Sequence, residues 1–188
     1  KMISSAIESV VQELDNFLRI KFQLTDSGAI LSNLANVDGS IAAKDKNKVV
    51  VTLVGIQEDK LAHNKLNPGK RAGQSPPVYL NIHLLISANF DEKLTKESLR
   101  FISAVVAFFQ SKSVFLPSNT PSLSSSIEKL VFEIVNLEFQ AQSSLFTSLG
   151  AKYLPSVLYK MRMLAIDEGN MLYTAGRVKG KGLDTSQE

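Results

Sequence analysis

The sequence predicts an α+β fold in which a sheet of about four to five strands is flanked by helices. Apolar residues recur at helical spacing over residues 3–22 and again over 94–111. Apolar residues recur at every second position over 78–90 and over 155–167, which is the spacing of strands. The chain of 188 residues is long enough for one domain with a single core, so both kinds of element are expected in one unit.

The helices follow from apolar residues that share one face. In the first helix these are Ile3, Ile7, Val10, Val11, Leu14, Phe17 and Leu18. The second helix, 94–111, begins with Thr95 and Ser98, which are residues that cap helix N-termini. A short helix is predicted at 140–149, because Gly150 is a natural helix stop.

The strands are predicted with different clarity. "KVVVTLVGI" at 48–56 is apolar on both faces, as in an interior strand, and a short strand is expected near 29–35. In 78–90 the residues Val78, Leu80, Ile82, Leu84, Ile86 and Ala88 are expected to face the core, with Tyr79, Asn81, His83, Ser87 and Asn89 facing away. Residues 128–139 suit a helix or a strand, and their β-branched content favours the strand.

Composition and charge exclude several kinds of protein. Cysteine is absent, which excludes disulfides and thiolate sites, and no apolar run is long enough to form a signal peptide or to cross a membrane. The net charge is only +3, and its surplus lies in 57–77 and 152–188. A nucleic-acid binder would carry a denser basic stripe, so no nucleic acid is expected as a partner. No membrane and no small-molecule substrate are expected as partners either.

A catalytic site is not expected either. The two histidines, His63 and His83, lie in an irregular loop and on the outward row of a strand. No nucleophile elbow, zinc-binding helix motif or dinucleotide-binding glycine pattern occurs in the sequence. The sequence therefore predicts a protein that is not an enzyme and that holds no cofactor and no metal.

Two cations interrupt an apolar row in "PSVLYKMRMLAID", residues 155–167. Lys160 and Arg162 point to the same face of the strand, between Leu158 and Leu164. One interpretation is that their apolar stems cover the surface while the charged groups stay in water. The other is that they contact a partner.

The run "SLGAKYLPSVLYKMRML" at 148–164 resembles a signature of the cap, or tail-terminator, proteins of phage-tail-like contractile injection systems of the antifeeding-prophage type. The stretches 76–90, 101–121 and 127–139 are similar to segments of the same family and occur in the same order. The resemblance covers roughly residues 2–166. It implies a mixed, mainly antiparallel sheet flanked by helices, similar to the tail terminators of phages.

The resemblance also implies a function without catalysis. Such a cap closes the baseplate-distal end of the tube and sheath, limits tail length and holds the end of the sheath. Its partners would be further copies of itself in a ring of six, together with the sheath and inner-tube proteins, in a particle assembled in the cytoplasm. The alternatives are another structural adaptor, at the baseplate or the tube end, and a nucleic-acid-binding domain.

In a ring, Lys160 and Arg162 would meet acidic groups of a neighbouring copy, and His83 is a surface or interface residue. The expected domain spans residues 2–167, and 168–188 forms a basic, flexible tail with too little apolar content to fold alone. Within this tail, Tyr173 would help to add a strand to a partner's sheet edge, and three cations would meet acidic groups there. These cations are Arg177, Lys179 and Lys181.

Overall fold

The computed structural model describes residues 2–36, 46–59 and 78–165. The helices are α1 (Met2–Phe22), α2 (Thr95–Ser111) and α3 (Phe139–Ser148), and a 3₁₀ turn (Glu92–Leu94) precedes α2. The strands are β1 (Ala29–Leu31), β2 (Lys48–Glu58), β3 (Val78–Asn89), β4 (Val114–Phe115), β5 (Ile127–Val135) and β6 (Ser156–Ala165).

The described strands form one six-stranded sheet in the order β1-β2-β3-β6-β5-β4. The β1–β2 pair is parallel and every other pair is antiparallel, so the prediction of a mixed, mainly antiparallel sheet is confirmed. The strand count exceeds the predicted four to five because β4 was not predicted. It has only two residues, which is too short to show periodicity.

The main core lies between the sheet and the helices α1 and α2, on what we call the inner face. Leu14 and Leu18 of α1 are fully buried there. The ring of Phe109 in α2 lies 4.5 Å from the rings of both Phe132 in β5 and Tyr159 in β6, measured between centroids. Burial of aromatic and aliphatic side chains is the dominant stabilising contribution in such a core.

The other face of the sheet, which we call the outer face, has a smaller core under α3. This core contains Leu34, Val50, Leu85, Phe146 and Leu158. Leu85 was not predicted to lie in the core. It is buried because α3 covers this end of the outer face. Ser87 faces outward as predicted and is buried there as well.

The turn into β1 is held by one carboxylate. Asp15 Oδ1 of α1 accepts hydrogen bonds from the backbone N–H of Gly28 at 2.6 Å and of Ala29 at 2.9 Å. A Cβ atom at Gly28 would lie 2.8 Å from Leu24 Cδ1 and 3.2 Å from Leu18 Cβ, so a larger residue here would require these two leucines to shift. α1 therefore fixes where the parallel strand β1 begins.

The predicted elements agree well with the structure. The strand chosen for 128–139 is confirmed as far as Val135, beyond which the chain leaves the sheet and α3 begins at Phe139. α3 ends at Ser148, and Gly150 has a φ of +65°, which L side chains rarely adopt. The tail 168–188 lies outside the described residues, as does the irregular loop that contains His63.

Candidate interface on the outer sheet face

The two cations of β6 share one acidic partner within the same chain. Lys160 Nζ lies 3.0 Å from Glu133 Oε2, and Arg162 Nη2 lies 3.0 Å from Glu133 Oε1. Glu133 is on β5, directly opposite Lys160 in the strand register and diagonal to Arg162. Each oxygen of the carboxylate therefore receives one cation.

These three side chains remain open to solvent. The side chains of Lys160, Arg162 and Glu133 are 31%, 47% and 41% exposed. Ion pairs of this exposure contribute about 0–1 kcal/mol to stability, so they do little to hold the sheet together. Because two cations pair with one carboxylate, this cluster of three side chains carries one excess positive charge.

His83 lies beside this cluster on β3, opposite Lys160 in the register. Partial burial lowers the pKa of His83, and the positive charge of Lys160 lowers it further. Both causes favour the neutral imidazole near neutral pH. His83 therefore adds hydrogen-bonding capacity to this surface without adding charge.

A shallow cleft continues from Arg162 towards the end of the sheet. Its volume is about 170 Å³, and it is lined by Tyr79, Leu164 and Lys129 among others. Next to Arg162 in the register, the side-chain oxygen of Asn81 is buried and has no hydrogen-bond partner in the described ranges. The carboxylate of Asp59 lines the same cleft. This end of the outer face thus combines cations, a carboxylate, an amide and apolar side chains, a mixture suited to contact with another protein.

The structure brings three of the sequence-predicted site residues together and leaves the others undescribed. Lys160, Arg162 and His83 lie in adjacent positions of β6 and β3. The tail residues Tyr173, Arg177, Lys179 and Lys181 lie outside the described residues. Within residues 2–36, 46–59 and 78–165, no group of three or more His, Asp or Glu side chains is placed to hold a metal ion.

Sequence reasoning missed Glu133 as the partner of both cations. It expected their acidic partners on a neighbouring copy, and the structure shows one acidic partner within the same chain. The strand pattern indicates which residues share a face, but not which strands are neighbours. Only the pairing of β5 with β6 brings Glu133 to Lys160.

Comparison with known protein families shows to which family the chain belongs. A family model described as the Pvc16 N-terminal domain matches residues 7–179. The chain belongs to this family. The match runs beyond residue 167, the predicted end of the domain. No curated protein matches the chain.

Solved structures with the fold of this Pvc16 N-terminal domain include two proteins described as terminating a tube. One is the PVC sheath/tube terminator of an extracellular contractile injection system in its extended state, with 14% identity and a TM-score of 0.55. The other is the anti-feeding prophage cap, described as the AFP tube-terminating cap, with 16% identity and a TM-score of 0.56. The matches cover 97% and 95% of this chain, which confirms the predicted resemblance to these proteins and the fold class.

The Pvc16 N-terminal domain described here spans 64% of the PVC terminator and 60% of the anti-feeding prophage cap. At these identities, the likeness concerns the fold. No helix within the described parts of the chain has both the length and the apolar character needed to cross a membrane.

Proposed function

We propose that the chain is a structural cap that closes the baseplate-distal end of the tube and sheath of a contractile injection system. In this role it limits tail length, holds the end of the sheath and acts as a ring of six copies in a particle assembled in the cytoplasm. It performs no catalytic step and needs no cofactor. The observation that carries the proposal is the family match over residues 7–179, in agreement with the fold of two proteins described as terminators.

The proposed contact with neighbouring proteins uses the open part of the outer face. Lys160, Arg162 and His83 lie there, and the paired cations exceed the shared carboxylate by one charge. An acidic group of a neighbour would complete the cluster, and contacts of this kind contribute more to register and specificity than to affinity.

We also propose that residues 2–167 form the folded domain and that the tail 168–188 contacts the last sheath ring or an adjacent cap subunit. Tyr173 supplies an apolar contact in this proposal. Arg177, Lys179 and Lys181 supply positive charge.

Electron microscopy of assembled tails tests the function. Particles that lack this protein should have tails of uneven length with open distal ends, and adding the full chain back should restore a uniform length. Finding the protein only at the baseplate would instead support the adaptor role. A strictly monomeric protein that leaves tail length unchanged would contradict the proposal.

A double variant tests the contact surface. Lys160→Gln with Arg162→Gln removes both cations, and we expect it to fold normally but to cap tails poorly. Arg100→Gln is the matched control, since Arg100 also pairs with one carboxylate, Glu97 of α2, and is exposed, but lies on the other side of the sheet. If the double variant caps as well as the control, the cations are not part of the contact.

A further inference from the structure

α3 crosses the outer face from one side of the sheet to the other. It begins at Phe139, four residues after β5 ends, and just beyond its end a Cβ atom at Gly150 would lie 3.9 Å from Ala35 Cβ, in the segment after β1. Ten helical residues span about 15 Å, which is close to the width of the four strands β2, β3, β6 and β5. The two ends of α3 therefore lie towards opposite sides of the sheet.

The first end of α3 carries a projecting aromatic ring. Phe139 is 87% exposed, the highest value among the large apolar side chains in the described ranges. Leu137, two positions before it, is also exposed. Exposed aromatic side chains with apolar neighbours are typical of protein contact sites, because burying one ring removes roughly 150–250 Å² from water.

The second end of α3 borders a concave surface. A cleft of about 370 Å³ lies between the last residues of α3 and the β1–β2 side of the sheet. Its apolar lining comes from Leu34, Ala35, Leu53 and Leu149, and its polar lining from Asn33, Asn36, Thr52 and Ser148. A projecting ring therefore lies at one end of α3, and a cleft with both apolar and polar walls lies at the other.

The charges beside these two features are complementary. Glu138 directly precedes Phe139, and Lys152 follows the cleft residue Gly150 by two positions. Both are exposed, and neither has an ion-pair partner in the part of the chain that the structure describes.

We propose that the occupant of the cleft is Phe139 of a second copy of this chain, with Glu138 of that copy next to Lys152. Each copy would offer its ring to one neighbour and its cleft to the other, which is a head-to-tail contact that closes into a ring if the rotation allows it. The inference rests on the proposed cap ring and names the surfaces that join its subunits. These surfaces lie at the two ends of α3, apart from the cluster around Glu133.

Disulfide trapping tests the contact directly, because the chain contains no cysteine. Full-length Gln140→Cys, which keeps Phe139 in place, is mixed with a tagged full-length Ser148→Cys variant and mildly oxidised. We expect mainly mixed dimers of tagged and untagged chains, since position 140 would lie next to position 148 of the neighbour. Mixed dimers that are no more abundant than those formed with a tagged Ile20→Cys control, at an exposed site on α1, would overturn the proposal.

Charge exchange gives an independent test in sedimentation experiments. Glu138→Lys and Lys152→Glu should each weaken association of the full chain, and the two changes combined in one chain should restore it. Phe139→Ala should shift the protein towards monomer, whereas Ile20→Ala, which removes a side chain 81% exposed on α1, should not. Association unchanged by all of these variants would refute the contact.

The proposed interface and the proposed function fail in different ways. If Phe139→Ala caps tails normally and still forms rings, the interface is wrong but the cap function stands. The same conclusion follows if the wild-type chain stays monomeric in solution and nevertheless caps tails. If the wild-type chain forms rings through Phe139 but leaves tail length unaffected, the interface stands and the function is wrong.

Discussion

The inner and outer rows of β6 differ in packing, although their residues alternate along one strand. Tyr159, Met161 and Met163 point inward and are almost completely buried against the other core residues. Lys160 and Arg162 point outward and pair with one partly exposed carboxylate. The strand therefore has one face that contributes to folding and one face whose charged centre is available for contacts.

The difference shows that the buried row contributes most to the stability of this sheet, whereas the exposed charges contribute little. Full burial of an apolar side chain is worth about 1.5–3 kcal/mol, whereas an exposed ion pair is worth about 0–1 kcal/mol. Replacing a cation of the outer row should therefore cost little stability, whereas truncating an apolar side chain of the inner row should cost more.

The largest expected effect comes from truncating the inner row. Met161 is fully buried, so Met161→Ala should lower the free energy of unfolding by about 2–5 kcal/mol through lost burial and an internal cavity. Arg162→Ala, at the next position, should lower it by no more than about 1 kcal/mol. Urea unfolding of both variants measures the difference, and equal losses would show that the two rows do not differ in this way.

A smaller effect is expected from the polar group of the inner row. The hydroxyl of Tyr159 is buried without a hydrogen-bond partner in the described ranges, so Tyr159→Phe should stabilise the domain by about 1 kcal/mol. Burial raises the pKa of Tyr159 to about 12. Because the unfolded chain releases this proton near its usual pKa of about 10, wild-type stability should fall as the pH rises from about 10 to about 12.

The Tyr159→Phe variant lacks the titrating hydroxyl, so its stability should fall less between about pH 10 and about pH 12. Urea unfolding at several alkaline pH values, carried out on both proteins, measures the difference. Identical pH dependence in the two proteins would show that the Tyr159 hydroxyl has an ordinary pKa.

The smallest effect concerns the outer row and its neighbour His83. Lys160→Gln should raise the pKa of His83 but leave it below its ordinary value, because burial is the larger cause of the lowering. A lowered pKa means that stability is lost as the pH falls below about 6.5, and the variant should lose less. An NMR titration of the His83 ring measures the shift, and an unchanged pKa would show that Lys160 does not act on His83.

Much of the fold follows from the sequence because burial imposes periodicity. The first helix is confirmed, and so is the strand within 155–167, whose inward row is apolar from Val157 to Ala165. β4 escaped prediction because two residues, Val114 and Phe115, cannot show a period. Leu85 was left out of the core because the sequence does not indicate that α3 covers the far side of β3.

The candidate contact surfaces follow from the sequence only in part. The alternation placed Lys160 and Arg162 on one face, which the structure confirms. Their shared partner Glu133 depends on which strand lies beside β6, and strand order is a property of the whole sheet. The ring of Phe139 and its distance from the cleft depend on the direction of α3, which no local pattern specifies.

The position of β6 has a consequence for how the domain forms during synthesis. β6 lies in the middle of the sheet, between β3 and β5, yet it is the last of the described strands to leave the ribosome. Until residues 156–165 emerge, β3 and β5 lack their shared neighbour, and each has an unpaired edge next to apolar side chains. Such edges favour association between unfinished chains, so the nascent domain is most vulnerable to aggregation just before β6 is complete.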